Sequence, residues 1–280
     1  MQESRPSRTA LRVALRRAAH QLYDHPIVFN DPIAVPILGK QYAEELRRTP
    51  LQAHRVFSTA LRAFIVARSC YAEENLRRAV ENGIRQYVLL GAGLDTFAYR
   101  NPYPQLRVFE VDHPSTQQWK CELLSTNNIS IPTTLTFVPV DFETQSLEGR
   151  LLASGLDPEA PVFFAWLGVV PYLTLAAFRS TLAFVAAQKE GSGLVFDYGQ
   201  PRHVLSPNEQ LAHDALASRV QLSGEPFQLF FTPEEAVAEL SVFKEIEDLG
   251  GPAITARYFA NRNDNLAIRG DSGRMVSAWL

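Results

Sequence analysis

Two apolar runs of strand length end in residues that do not belong inside a sheet, and their spacing constrains the fold more than any other feature. Val88-Leu89-Leu90 runs into Gly91-Ala92-Gly93-Leu94-Asp95, and Val108-Phe109-Glu110-Val111 runs into Asp112. Gly91 and Asp112 lie 21 positions apart, the span of one strand–helix–strand unit. A glycine turn lets backbone approach a ligand closely, and a carboxylate at the next strand tip can accept from the two hydroxyls of a ribose. The pair reads as a site for an adenosine-containing cofactor.

The rhythm repeats along the chain. Apolar runs at 87–90, 107–111, 135–140, 162–167 and 194–197 have strand length and are separated by helix-length spans, 116–124 and 175–188 among them. Such alternation implies a parallel sheet covered on both faces. Ser206-Pro207-Asn208-Glu209 and Thr232-Pro233-Glu234-Glu235 each fit a capping box with proline at the first helical position. Phe243 to Leu249, and the segment from Leu266 to the end, are candidates for the last strands. Ahead of the sheet, 8–23 and 51–82 carry helical spacing, Asn82-Gly83 is a stop signal, and His25-Pro26 to Asp31-Pro32 is a turn-rich link. The expectation is a single domain, 1–280, with a helical cap over 1–82 and an α/β core with lid insertions over 83–280.

Charge and cysteine usage narrow the function classes. Lys+Arg 27 against Asp+Glu 30 leaves a net charge of −3, so neither a nucleic acid nor a membrane surface is expected as a partner. Cys70 and Cys121 stand far apart in no metal-like spacing, and no metal is expected. With no apolar leader and no long apolar run, a cytoplasmic location follows as the expectation. Oligomeric state stays open.

Around the glycine turn, a dinucleotide fingerprint wants a third glycine at position 96, where Thr96 stands. Val140-Asp141-Phe142 forms a third tip: an acid there can accept from the amino group of adenine, and Phe142 offers an apolar wall. Each acid has a plainer reading, Asp112 as a helix N-cap in Asp-His-Pro-Ser and Asp141 as a turn residue.

Gly-Ala-Gly-Leu-Asp-Thr at 91–96, Phe-Glu-Val-Asp-His-Pro at 109–114 with Lys120 downstream, and Val-Asp-Phe at 140–142 together resemble the class I S-adenosylmethionine-dependent methyltransferases. Within them the chain resembles the leucine carboxyl methyltransferase-like family and its bacterial O-methyltransferase branch, with further likeness at Asp31-Pro32, 164–173, 224–227 and 257–259. The resemblance implies a seven-stranded, mostly parallel Rossmann-like sheet with an antiparallel last strand and an N-terminal helical cap. It implies S-adenosyl-L-methionine as cofactor and S-adenosyl-L-homocysteine as product. Gly91 and Gly93 would pass the methionine part, Asp112 would hold the ribose, and Asp141 with Phe142 would flank the adenine. Arg68 falls where the family places an arginine for the cofactor's carboxylate, although spacing alone does not separate it from Arg62. Leu167 stands at the fourth tip where better-known members have a glutamate, and His20 where they have a lysine. Both departures weigh against the phosphatase-modifying activity of the eukaryotic relatives.

The expected reaction is methylation of a carboxylate or hydroxyl oxygen on a small-molecule acceptor. A carboxylate is already ionised near neutral pH, whereas a hydroxyl wants a base. Tyr198 and His203 are the candidates for that role, and Tyr23, His25 and Glu225 lie in segments that could form a lid. Two alternatives accompany this reading: a nicotinamide-dependent oxidoreductase, and a catalytically inactive cofactor-binding scaffold.

Overall fold

Strand pairing builds one seven-stranded sheet. In the computed structural model, which describes residues 7–48, 56–141, 145–222 and 224–280, the strands are β1 (Gln86–Leu90), β2 (Arg107–Asp112), β3 (Leu135–Pro139), β4 (Phe163–Trp166), β5 (Gly193–Gly199), β6 (Glu245–Leu249) and β7 (Gly273–Trp279). Their order is β3-β2-β1-β4-β5-β7-β6. The pairs β1–β2, β2–β3, β1–β4 and β4–β5 are parallel, while β7 runs antiparallel to both β5 and β6. Order reverses between β1 and β4, which places a ligand crevice beyond the carboxyl ends of those strands.

Among the described residues the α-helices are α1 (Arg8–Tyr23), α2 (Gly39–Arg48), α3 (Val56–Glu81), α4 (Pro114–Thr126), α5 (Leu147–Ala153), α6 (Leu175–Ala186), α7 (Pro207–Gln221), α8 (Pro233–Glu239) and α9 (Gly251–Tyr258). Residues 51–55 of the expected 51–82 helix lie outside the described residues. Both capping boxes form, at Ser206 with Glu209 and at Thr232 with Glu235. No helix among the described residues is long and apolar enough to cross a membrane.

Alternation along the strands feeds two cores. Val88, Phe109, Phe164 and Phe196 meet Leu151, Phe178 and Leu240 on one face. Tyr87, Val108, Phe163 and Val195 meet Ala63, Ala67, Tyr71 and Leu76 of α3 on the other. The repeated alanines of α3 favour helix and keep its buried face flat against β4, β5 and β7. Ala14 and Ala18 of α1 join Ile37, Leu38 and Leu94 in a third cluster, which lays α1 beside the glycine turn.

One charged pair lies wholly inside. Lys120 Nζ sits 2.7 Å from Glu110 Oε2, both side chains buried. Glu110 Oε1 and the Tyr99 hydroxyl lack partners among the described residues. Burial pushes Glu110 up to about 7 against the pull of Lys120. A carboxyl raised in the folded state costs stability once ionised, so this contribution declines as pH climbs from the ordinary glutamate value towards that level. Above that range, Lys120→Met is expected to lower the unfolding free energy by about 3–5 kcal/mol by leaving an uncompensated buried charge. Adding Glu110→Gln should recover most of the loss in urea titrations, and a double variant no better than the single one would sink the account.

Candidate functional site

The glycine turn and the β2 tip are tied by hydrogen bonds. Gly91 and Gly93 have φ of +70° and +50°, a region glycine enters without strain. A side chain at Gly91 would place Cβ 2.4 Å from Val169 Cγ2, so the loop after β4 closes directly on the turn. Asp112 Oδ2 accepts the Gly93 N–H at 2.6 Å, and Oδ1 accepts the His113 N–H at 2.7 Å. The N-cap of α4 is His113, whose Nδ1 accepts from the Ser115 N–H at 3.3 Å, so Asp112 is released from that duty. Burial raises the Asp112 carboxyl above the ordinary range, with the Gly93 and His113 N–H groups pulling it back. Asp141 follows β3 half-buried, its N–H donating to Gln145 Oε1 at 3.1 Å. Phe142 lies outside the described residues. Leu167, just past β4, packs into the apolar cluster under α3.

Arg68 reaches from α3 to the tips of β4 and β5. Its Nη1 donates to Asp197 Oδ2 at 3.0 Å, and Asp197 Oδ1 accepts the Gly168 N–H at 2.6 Å. Gly168 has φ of +71°, and a Cβ there would stand 2.7 Å from both terminal nitrogens of Arg68. The guanidinium therefore lies flat over a residue that has to be glycine. Arg62, the other arginine that spacing allowed, points elsewhere: Nε and Nη2 each donate to Asp24 at 2.7 Å.

A cavity of about 1250 Å³ opens between cap and core, with Arg68, Gly168 and Asp197 in its wall. α1, α2, α3 and α7 supply the sides, and Tyr172, Phe227 and Phe230 supply aromatic surface. Glu225 accepts the Thr9 hydroxyl, and Arg12 Nη1 donates to the Arg219 carbonyl at 3.3 Å, so the start of α1 is clasped across the mouth.

The family model for leucine carboxyl methyltransferases matches residues 10–186. The chain belongs to that family. It is similar to YktD of Bacillus subtilis, provisionally named an S-adenosyl-L-methionine-dependent methyltransferase, at 34% identity over 292 residues, covering 95% of this chain and 96% of that one. Among solved structures, a provisionally named methyltransferase from Thermobifida fusca shares the fold at TM-score 0.56 and 18% identity, covering 91% of this chain and 96% of that one. A DUF574-family protein from Streptomyces avermitilis does so at TM-score 0.55 and 19% identity, covering 87% and 94%. The protein is an S-adenosyl-L-methionine-dependent methyltransferase, and these comparisons give the nicotinamide alternative no support.

The donor set of this leucine carboxyl methyltransferase family member fits the cofactor. An ionised carboxylate has about four acceptor positions, and Asp112 spends two on backbone N–H groups, which leaves acceptor capacity for ribose hydroxyls. His20 is engaged elsewhere. Its Nε2 accepts from the Val28 and Phe29 N–H groups at 3.1 and 3.2 Å, and its Nδ1 lies 3.0 Å from Asp24 Oδ2. Two donors on Nε2 put the ring proton on Nδ1, facing Asp24. His20 is thus part of the cap's framework.

The other expected residues scatter. Tyr198 lines the cavity, but its hydroxyl donates to Asp248 Oδ2 at 2.8 Å, and burial, then Asp248, drive it well above the ordinary phenol range. A phenol so raised does not act as a base near neutral pH. His203 is exposed on a short turn and does not line the cavity. Tyr23 donates to the Leu46 carbonyl and His25 is exposed. Asp197, Tyr172 and His213 were missed. Asp197 was visible as an acid inside the apolar β5 run; His213, in mid-helix, carried no such signal.

Gly168→Ala is expected to cost about 1–3 kcal/mol by overpacking against Arg68, more than Gly83→Ala, which shares a positive φ but has nothing within 4 Å of its Cβ. Equal midpoint shifts in urea would contradict the close approach.

Proposed function

We propose that this methyltransferase transfers the methyl group to oxygen, a hydroxyl or carboxylate, on a small molecule. The cavity carries the reading: about 1250 Å³ of partly aromatic space whose wall includes Arg68 and Asp197. That exceeds the volume of a typical small-ligand site, about 300–1,000 Å³, so acceptor and the methyl-bearing end of the cofactor have room together. When bound, S-adenosyl-L-methionine supplies an electrophilic methyl group on a sulfonium.

The chain's own residues do the holding. Asp112 accepts from the ribose hydroxyls, Gly91 and Gly93 let the backbone pass the methionine part, and Asp141 and Phe142 take the adenine. Arg68 pairs with the cofactor's carboxylate, and Leu167 gives the fourth tip an apolar surface. α1, α3 and α7 exclude water and fix the acceptor's approach. Burial pushes the Tyr172 hydroxyl up to about 12, opposed by Thr9 and aided by Glu225, so it stays a protonated donor in the wall. Tyr198 and His203 give way to His213 as the group able to take a proton from a hydroxyl acceptor, because His213 lines the cavity.

Calorimetric titration with S-adenosyl-L-homocysteine tests the cofactor half. Asp112→Ala is expected to weaken binding about a hundredfold through lost charge-assisted hydrogen bonds. Because the Asp112 carboxyl is raised, wild-type affinity should begin to fall with acidification at a pH above the ordinary aspartate range. A mass-spectrometric screen of phenols, carboxylic acids and amines for the methylated product and S-adenosyl-L-homocysteine release tests the other half. Methylation confined to nitrogen acceptors would overturn the oxygen assignment.

A further inference from the structure

Between Phe227 and Phe231 the chain sends its apolar side chains two ways. Leu229 and Phe231 are 8% and 4% exposed and join the core cluster, with the Phe231 ring 5.0 Å from that of Phe178. Phe227 and Phe230 are half-buried and line the cavity. Hydrogen bonds fix this division. The Gln228 N–H donates to the Pro171 carbonyl at 2.7 Å, Gln228 Nε2 to the Tyr172 carbonyl at 2.8 Å, and the Phe231 N–H to the Gly199 carbonyl at 3.1 Å. The Tyr172 and Phe227 rings, 5.2 Å apart, are tilted by 45°, and those of Phe227 and Phe230, 6.0 Å apart, by 83°. Rings at such angles meet edge to face and leave faces open, whereas Trp166 and Phe178 in the core are parallel to within 5°.

The sheet gives up side chains at the same place. Gly199 of β5 and Gly273 of β7 are register partners, and directly opposed residues share one face. A Cβ at Gly199 would stand 3.2 Å from Phe230 Cδ1, and one at Gly273 2.9 Å from Phe64 Cε2. Two rings that line the cavity therefore rest on two paired residues that carry no side chain. Phe64 and Arg68 lie four residues apart on α3, so they share a helix face. Arg68 meets Asp197, two residues before Gly199 on the same strand. The ring-lined end of the cavity is thus one helical turn, about 6 Å, from the Arg68–Asp197 junction.

We propose that the acceptor is a flat aromatic molecule whose ring is received by Phe64, Phe227, Phe230 and Tyr172 at the β5–β7 end of the cavity. The ring bears the oxygen that takes the methyl group. This rests on the oxygen-methyltransferase reading and deepens it by naming the acceptor class and the side chains that select it; it adds no chemical step. Aromatic surface left open in a cavity is stabilised when an apolar partner covers it. A planar ring makes the most of rings already set at angles, through stacked and edge-to-face contacts that a puckered saturated ring of the same size does not make.

Calorimetry on the full chain, with S-adenosyl-L-homocysteine present, compares phenol, 1-naphthol and 1-naphthoate with cyclohexanol and the matching decahydronaphthalene compounds. Wild type is expected to bind each aromatic about tenfold more tightly than its saturated counterpart, from two ring contacts of ordinary strength. Phe227→Leu and Phe230→Leu keep an apolar side chain and remove the ring. Each should cut the preference about threefold, and the double variant should erase it. Phe231→Leu, next in sequence but in the core, should lower the urea midpoint and leave the preference intact. Where Phe230→Leu does not fold, Phe64→Leu joined to Phe227→Leu takes its place, with the same loss expected. Equal binding of aromatic and saturated partners by wild type, no binding of any aromatic, or a preference that survives in the folded double variant overturns the assignment. A methylation assay on the same protein separates this from the reading beneath it. If 1-naphthylamine is methylated and 1-naphthol and 1-naphthoate are not, with the ring preference intact, the oxygen reading fails and the ring assignment stands.

Discussion

Arg68 and Asp197 are two charges taken largely out of water, and their geometry fixes how cap and core meet. Burying such a pair is unfavourable unless the ions touch and their remaining valences are met. Here the second carboxylate oxygen is met by the Gly168 N–H, so one junction joins a cap helix to the ends of two adjacent strands. Gly168 is what allows it, since any Cβ would occupy the guanidinium's place. The cavity owes its position to this junction, because Arg68, Gly168 and Asp197 all stand in its wall.

The cap has its own framework, built on Asp24. That carboxylate takes both donors of the Arg62 fork and faces the His20 ring, which in turn accepts two backbone N–H groups of the following link. Burial raises Asp24, but His20 and then Arg62 overcome it and the carboxyl ends below its ordinary range. α1, α3 and the 24–29 turn are therefore locked as one body. Arg17 extends the lock to the core by donating to Asp95 at 3.3 Å and to the Leu94 carbonyl beside the glycine turn.

Much of this was legible in residues that serve a single purpose. Apolar runs of strand length fixed five parallel strands, and the two capping boxes fixed the starts of α7 and α8, because those patterns depend on neighbours in sequence. The pairing of β7 between β5 and β6 was not legible, since it depends on which edge of the finished sheet stays open. α2 escaped notice for the same kind of reason: its polar sequence buries only Ala43, and its place is set by the cap around it. Among site residues, Gly91 and Asp112 stood out because glycine and acid are anomalous at strand tips. Arg68 could not be told from Arg62 by spacing; Asp24 and Asp197, which sort them, lie 38 and 129 positions away. Tyr198 and His203 looked apt from their place after β5, but one is committed to Asp248 and the other faces water.

The chain as a whole is slightly acidic, with a net charge of −3, while its cavity is lined by more arginines than carboxylates. Ligand choice answers to the local field, because a low-dielectric wall focuses nearby charge and screens distant charge. A cofactor sulfonium seated there would bring one more positive charge into that space. Its repulsion with the guanidinium groups is weakly screened once water is excluded. An acceptor with a fixed negative charge offsets that repulsion, and a neutral acceptor of the same shape does not. A neutral thioether in the same place would not add to that repulsion, so the wall's arginines would favour an anionic partner less beside S-adenosyl-L-homocysteine than beside the sulfonium.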